Sequence, residues 1–480
     1  MQTLLRKLAV AVTVCAGGAI AGAQSAPPSA DKVWHAKDEN GITKQLTSSP
    51  EIKYDLDPAK IYTLAELIDI AEQQNPQTRL AWQQAKARAA DLGIARSALY
   101  PTIAALALAN TSRIRILFNS TFFRQTLGSF SPGIQLDYLI FDVGGRSGAI
   151  DEAKANLLAS DLAFNDTHLK IIFAVSSAYY RLLDAIGQQG AAEANLKNAQ
   201  AVEDNANDRL NHGLATKPDL LEATASRAQA EFDLQAAVGA EEIAQGNLAT
   251  VLNVRPGAAY RVQNINDLKM PDQIGESVGV AIERAFQQRP DLKEEFAKLR
   301  AADAVIKQAR SSYFPSLVIS GTAGTEREYG AQDTLPPGYA NGETWDVTLG
   351  LKWTLFDGAR REHQVAQARA DKAATQAEMD SLRDDIANEV WTASSNVKTA
   401  LRQQQAASAL LASAQQSYDA AFESYGYGVR SILDVVAAQK ALAQARTEDI
   451  TARTQLLLQV ADLAFRTGDL ISTAPPKAGP

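Results

Sequence analysis

Few residues in this chain have the types and spacing that chemistry demands. The four histidines, His35, His168, His212 and His363, are far apart in sequence and match no metal-ligand spacing. Cys15 is the only cysteine, and neither a Gly-x-Ser-x-Gly elbow nor a phosphate-binding glycine loop occurs. An enzyme is therefore not expected, nor is a cofactor or a resident metal. The carboxylates that stand out are two aspartates in matching positions. One closes the run Asn211-His212-Gly213-Leu214-Ala215-Thr216-Lys217-Pro218-Asp219, the other Tyr425-Gly426-Tyr427-Gly428-Val429-Arg430-Ser431-Ile432-Leu433-Asp434. Thr216 with Asp219, and Ser431 with Asp434, have the capping-box spacing, in which hydroxyl and carboxylate each accept from the other's backbone N–H and start a helix. The glycines supply the positive φ that ends a preceding helix. Set in a ring at the tip of a helical tube, the same carboxylates would act on cations or on a gate. The two roles are compatible, because capping is what would place them there.

The segments that lead to these turns are long. From about 145 to 211, and again from about 360 to 426, there is no proline and only scattered glycine. Leu169, Ile172, Phe173, Ser176, Tyr180 and Leu183 fall at helical spacing, as do Leu382, Ile386, Val390, Ala393 and Val397. Such helices would each be on the order of 100 Å long. After each turn comes a return helix of about 35 residues, and Ile450, Thr454, Leu457, Ala461 and Ala464 form a near-heptad stripe on the second.

The chain is written twice. Asn75-Pro76 and the run Ala95 to Pro101 recur as Arg289-Pro290 and Ala309 to Pro315, 214 residues later. Leu139-Ile140-Phe141-Asp142 recurs as Thr354-Leu355-Phe356-Asp357 at an offset of 215, which also pairs Arg146 with Arg361, Gly213 with Gly428 and Asp219 with Asp434. A register held over about 180 positions indicates two pseudo-equivalent lobes. The domain reading is a signal at 1–23, an N-terminal segment at 24–59, repeats at 60–275 and 276–470, and a tail at 471–480. Each repeat starts with a helical stretch (60–99, 276–313) ended by Tyr-Pro or Phe-Pro. Two short strands follow. Val347, Leu349, Leu351, Trp353 and Leu355 alternate with Asp346, Thr348, Gly350, Lys352 and Thr354, and Ile134, Leu136, Tyr138 and Ile140 oppose Gln135 and Asp137. The strands at 102–117 and 316–325 alternate less cleanly, and 326–343, with Gly330, Pro336, Pro337 and Gly338, reads as a turn region.

Strands of roughly ten residues, greasy on one face and polar on the other, have the length and pattern of transmembrane barrel strands. Four cannot close a barrel, and lipid tolerates no open edge, so closure requires several chains. Polar residues such as Asp137 and Lys352 should then point into the lumen. At the N-terminus Arg6 and Lys7 precede an apolar run from Leu8 to Ile20 and the small-x-small Ala21-Gly22-Ala23, which reads as a secretory signal cleaved after Ala23. Cys15 lies inside it, preceded by Val14 rather than by the small residue of a lipoprotein signal. The net charge of −8 offers no basic surface, so nucleic acid is not a partner. Alanine, the best helix former, occurs 86 times and suits helices packed side by side. Hydrophobic residues make up 46% of the chain and aromatics 7%, which excludes a disulfide scaffold, a collagen-like repeat and a wholly disordered chain.

The duplicated layout, the two turns, the segments Phe141-Asp142-Val143-Gly144 and Phe356-Asp357-Gly358, and above all Tyr425, Gly428 and Asp434 in the pattern Tyr-x-x-Gly-x-x-x-x-x-Asp resemble the TolC-like outer-membrane efflux proteins over about 60–470. The resemblance implies a mainly α fold with a membrane β-barrel contribution: a long helical barrel plus four transmembrane strands per chain, closed as a homotrimer with twelve strands. It implies a location in the outer-membrane lipid with the helices in the periplasm. Substrates would pass passively from an inner-membrane transporter, in a tripartite efflux or type I secretion system. A periplasmic adaptor protein would dock at the tip, where Gly213, Leu214, Gly428 and Val429 are the contact candidates. The positions that match the family's closed gate are Asp219, Tyr425 and Arg430, and Asp434 matches an acidic ring at the constriction. A second acidic ring found in some members is absent, because that position is Ala437. The alternative is a soluble periplasmic coiled-coil scaffold without channel activity.

Overall fold

The computed structural model describes residues 31, 39–48, 56–118, 121–255, 257–258, 260–271, 276–332 and 335–472. The signal at 1–23, its cleavage after Ala23 and residues 473–480 of the tail lie outside the described residues. The chain divides into units at Met1–Lys53 and Tyr54–Pro480. In the first, α1 (Glu39–Ser48) is a ten-residue helix with Ile42 and Leu46 exposed one turn apart.

The second unit holds the rest in the order β1 (Ile61–Tyr62), α2 (Leu64–Gln74), α3 (Pro76–Ser97), β2 (Thr102–Phe118), β3 (Thr121–Phe141), α4 (Gly145–Asn211), α5 (Lys217–Val251), β4 (Arg261–Val262), α6 (Val278–Gln288), α7 (Pro290–Ser311), β5 (Ser316–Gln332), β6 (Leu335–Lys352), α8 (Arg360–Gly426), α9 (Ile432–Thr467) and α10 (Asp469–Ser472), with a 3-10 turn at Ile265–Asp267. Helices and a four-stranded β-sheet make up the fold, as the sequence implies, with a second sheet of two short strands that the sequence reading did not foresee. Each opening helical stretch is two helices rather than one, because Pro76 and Pro290 each stand at a helix's first position. Proline drives its predecessor out of the α region, and Asn75 (ψ 128°) and Arg289 (ψ 125°) are extended accordingly.

α4 and α8 are each 67 residues, about 100 Å at 1.5 Å per residue. Alanine accounts for much of what they bury, including Ala199, Ala206, Ala393 and Ala421. Close approach also needs glycine: a Cβ at Gly148 would lie 2.9 Å from the Gln308 backbone N on α7, and one at Gly187 would lie 2.6 Å from Ile450 on α9. The larger side chains gather where β1 pairs with β4 in parallel; Tyr179, Leu182 and Leu183 of α4 pack there against Leu67, Leu248 and Leu252. No helix among the described residues is long and apolar enough to cross a membrane.

The main sheet is antiparallel in the order β2-β3-β5-β6. Its strands are 17, 21, 17 and 18 residues long, well beyond the ten expected, because the ladder continues past the alternating part through polar sequence. The expected turn region at 326–343 is strand at every described residue. Gly330 pairs with Gly338 and Gln332 with Leu335, so Pro336 and Pro337 fall opposite Ala331 in a bulge on the edge strand, where a missing N–H is tolerated.

Each β-to-α turn is pinned by an Asp–Arg pair. The turns need left-handed residues, Val143 (φ 49°) with Gly144 (φ 100°) and Gly358 (φ 68°) with Ala359 (φ 67°). Asp142 accepts from the Arg146 backbone N at 2.5 Å, and the Arg146 guanidinium donates to the carbonyls of Ala98 (3.1 Å) and Ile140 (2.9 Å). In the second copy Arg361 lies 2.8 Å from Asp357 and donates to the carbonyls of Thr354 (2.6 Å) and Leu355 (3.3 Å). Arg361→Ala strands both carbonyls and the aspartate, so we expect a loss of about 2–3 kcal/mol in urea unfolding. Arg361→Lys should recover only part of it, because an ammonium cannot fork to several acceptors in one plane.

Candidate functional site

The two turns that join the long helices to the return helices have the same backbone. At the end of α4, Gly213 (φ 72°) donates to Leu210 O at 2.9 Å and Leu214 donates to Arg209 O at 2.7 Å. At the end of α8, Gly428 (φ 78°) donates to Tyr425 O and Val429 to Ser424 O, both at 2.9 Å. This is the Schellman arrangement, in which glycine takes the left-handed position and its own N–H and that of the next residue satisfy orphan carbonyls. Normally the hydrophobic residue after the glycine folds back on its own helix. Here Leu214 and Val429 are 66% and 79% exposed, and Tyr427 beside them 77%.

The return helices start from the capping boxes read in the sequence. The Thr216 N and Oγ1 both donate to Asp219 Oδ2 at 2.7 Å. Ser431 N and Oγ donate to Asp434 Oδ2 at 3.0 and 2.8 Å, and Asp434 N donates back to Ser431 Oγ at 3.3 Å. These bonds hold both carboxyls below the usual range. For Asp219 the Thr216 backbone N–H is the main cause; for Asp434 it is the Ser431 hydroxyl, with the Arg430 charge a smaller one. Both aspartates carry a negative charge at a helix N-terminus, where the dipole favours it.

Tyr425, buried on the inner face of α8, has a hydroxyl with no hydrogen-bond partner among the described residues, and burial pushes that hydroxyl's pKa up. Among the described residues it bonds neither Asp219 nor Arg430, and Arg430 itself is exposed, its charge acting on Asp434 of its own turn without a salt bridge. The residue that reaches Tyr425 is one the sequence reading missed. Arg209, in the last turn of α4, lies 4.9 Å from the Tyr425 ring centroid and donates from Nη1 to Gly426 O at 2.9 Å. Its signal in sequence was only a cation near a helix C-terminus, which is common.

At the other end of the helices, the sheet has two unlike faces. Thr102, Asp137, Ser320 and Thr348 form one cross-strand row, and Lys352, four residues from Thr348 on β6, shares their face. The opposite face carries Leu136, Tyr138, Ile319, Trp345, Val347, Leu349 and Leu351. The last four of these are 64–78% exposed. Asp137 and Lys352 are thus on the polar face, and the apolar face is uncovered.

Compared with known proteins, the chain matches the model of the outer membrane efflux protein family twice, over residues 67–254 and 281–469. It belongs to that family. It is 27% identical to protein CyaE of Bordetella pertussis over 425 residues, which cover 86% of each chain. It is 23% identical to outer membrane protein TolC of Escherichia coli, over 71% of this chain and 69% of that one. Its fold superposes on the solved outer-membrane channel OprN with a TM-score of 0.73 at 18% identity, covering 87% of this chain and 97% of that one. Outer-membrane localisation follows from the family.

The capping carboxylates give the turns a pH dependence. Their folded pKa lies below the unfolded one, so the stability they add is fully present above about pH 4 and is lost as pH falls through the lowered value. Amide exchange at residues 216–222 and 431–437 should therefore be slow at pH 7 and, corrected for intrinsic rates, faster near pH 3. Thr216→Ala should cost about 1 kcal/mol of protection at the first of these helix starts at pH 7 and less near pH 3, where the carboxylate its hydroxyl bonds is being protonated.

Proposed function

We propose that this chain is the outer-membrane channel-tunnel of a tripartite efflux or type I secretion system, conducting substrates passively from an inner-membrane transporter across the periplasm and outer membrane. The observation that carries the proposal is the pairing of an uncovered apolar sheet face with two unpaired sheet edges. Leu349, Leu351 and Trp345 belong against hydrocarbon, and an edge in hydrocarbon must be paired. β2 and β6 are the edges of this sheet, so β6 of one chain pairs with β2 of the next and three chains close twelve strands. Asp137 and Lys352 then line a water-filled lumen.

At the far end of the helices the turns are the periplasmic tip. Asp219, Tyr425, Arg430 and Asp434 form its gate: Arg430, exposed and without a salt bridge among the described residues of its own chain, supplies the cation that an adjoining chain's acceptors would take. The exposed apolar residues after the two glycines, Leu214 and Val429, with Gly213 and Gly428, receive a periplasmic adaptor. Residues 1–23 are the export signal, cleaved after Ala23; 60–275 and 276–470 are the two repeats, flanked by the segment 24–59 and the tail 471–480. No catalytic step is assigned.

The membrane reading separates the two sheet faces experimentally. Leu349→Arg should lower barrel stability by about 2–4 kcal/mol in lipid. Thr348→Arg should leave stability nearly unchanged and alter ion selectivity in planar bilayers. Equal and small effects at both positions, with the protein recovered in the soluble periplasmic fraction, would instead identify a scaffold without channel activity. For the gate, Arg430→Ala and Asp219→Ala should each raise single-channel conductance several-fold.

A further inference from the structure

Two helix pairs run side by side to the tip, α4 with α5 and α8 with α9. Side-chain hydrogen bonds cross between the pairs at Asp184–Thr454 (2.8 Å), Gln188–Thr451 (2.9 Å) and Asn195–Arg446 (3.2 Å). From Asn195 onward, over about 20 Å of helix, the described residues hold only one further crossing bond, Arg209 to Gly426 O. What lies between is apolar: the small Val202, Ala206, Ala414 and Ala421 together with the larger Tyr418, Tyr425 and Leu442. Such packing is non-directional and permits sliding. Buried amide atoms on the same stretch, Asn198 Nδ2, Asn205 Oδ1 and Gln439 Oε1, have no partner among the described residues, so they tie neither helix pair to the other within the chain.

Arg209 stands between the C-termini of two 67-residue helices, where both dipoles favour a cation. It bonds the last helical carbonyl of α8, covers the Tyr425 ring, and comes within 3.6 Å of where a Cβ on Gly428 would be. At the offset of 215 its counterpart is Ser424, too short to reach back, so the duplication supplies the contact once only.

We propose that Arg209 is the positioning residue that tethers the second turn to the first within each protomer, and that separating the two helix pairs at the tip requires breaking its bond to Gly426. This rests on the gated-channel reading for its consequence, though not for the tether itself. Non-covalent contacts of this kind can be broken by a docking partner, which suits a latch better than a buried apolar plug would.

The test uses the trimer of the processed chain, which holds no cysteine once residues 1–23 are cleaved, with spin labels at Leu214→Cys and Val429→Cys and dilution with unlabelled chain. In the parent the label pair should give one narrow distance distribution. Arg209→Ala should broaden and lengthen it and raise bilayer conductance several-fold, while Arg209→Lys, which keeps a charged donor but loses the flat face, should lie between. Should Arg209→Ala fail to assemble, Arg209→Gln takes its place. An unchanged distribution in the Arg209 variant overturns the tether. An unchanged conductance, with Asp219→Ala still opening the channel, overturns its part in gating and leaves the gate reading standing. No conductance from any variant sinks the channel reading, and the label distances then decide the tether alone.

Discussion

A backbone N–H or C=O in hydrocarbon has no water to bond, and this one requirement governs both ends of the molecule. On the channel reading proposed above, it forbids the open edges of β2 and β6 in lipid, so four strands with a greasy face would demand other copies of the chain. Copies committed to a ring would bring their helices into a ring as well. Each helix must then pack on neighbours at close range over its whole length, which large side chains would prevent. The alanine excess and the glycines at 148 and 187 follow from that packing. At the strand-to-helix turns the same requirement explains the Asp–Arg pairs: Arg146 and Arg361 serve carbonyls just where the ladder ends and the helix has not begun.

The helices cannot be uniformly stiff, however, if their tips are to move. Stability concentrates at the β1–β4 pair, where Tyr179, Leu182 and Leu248 are fully buried. Towards the turns the side-chain bonds between the two helix pairs become sparse among the described residues, although large residues such as Tyr418 and Leu442 are still buried there. That gradient puts the lowest-stability end where a gate would operate, as local opening requires. Directional contacts then matter more than buried area, and Arg209 supplies the last of them.

Much of this was legible from sequence because it repeats with a period. The alternation in 346–355 placed Lys352 on the polar face, and Thr216-x-x-Asp219 and Ser431-x-x-Asp434 gave both helix starts. Strand length was not legible, because outside the apolar band the ladder tolerates any polar residue and even Pro336 and Pro337 at a bulge. Nor was the break at Pro76 and Pro290, where proline begins a helix as readily as it ends one. Arg209 was missed for a different reason. Its importance lies in what it touches 217 residues away, and no local pattern encodes that.

The departures from duplication carry the remaining information. Where the copies agree, at Gly213 and Gly428 or Asp142 and Asp357, the requirement is one of backbone geometry. Where they differ, each copy solves a different problem. The first repeat ties its α2–α3 junction to α5 through amides, Asn75 to Val251 O (3.4 Å) and Asn253 to Gln74 O (3.0 Å). The second sets Arg289 against Asp291 and Glu389, both at 2.6 Å, with Arg466 sharing Glu389. At the two glycine turns, among the described residues, only the first copy has a cation whose side chain bonds the other turn. A tube of identical hairpins would have no reason to move one pair rather than the other. A one-way contact makes the α8–α9 pair the held element and the α4–α5 pair the holder. On the tether proposed for Arg209, opening would be a relative motion within each protomer as well as between protomers.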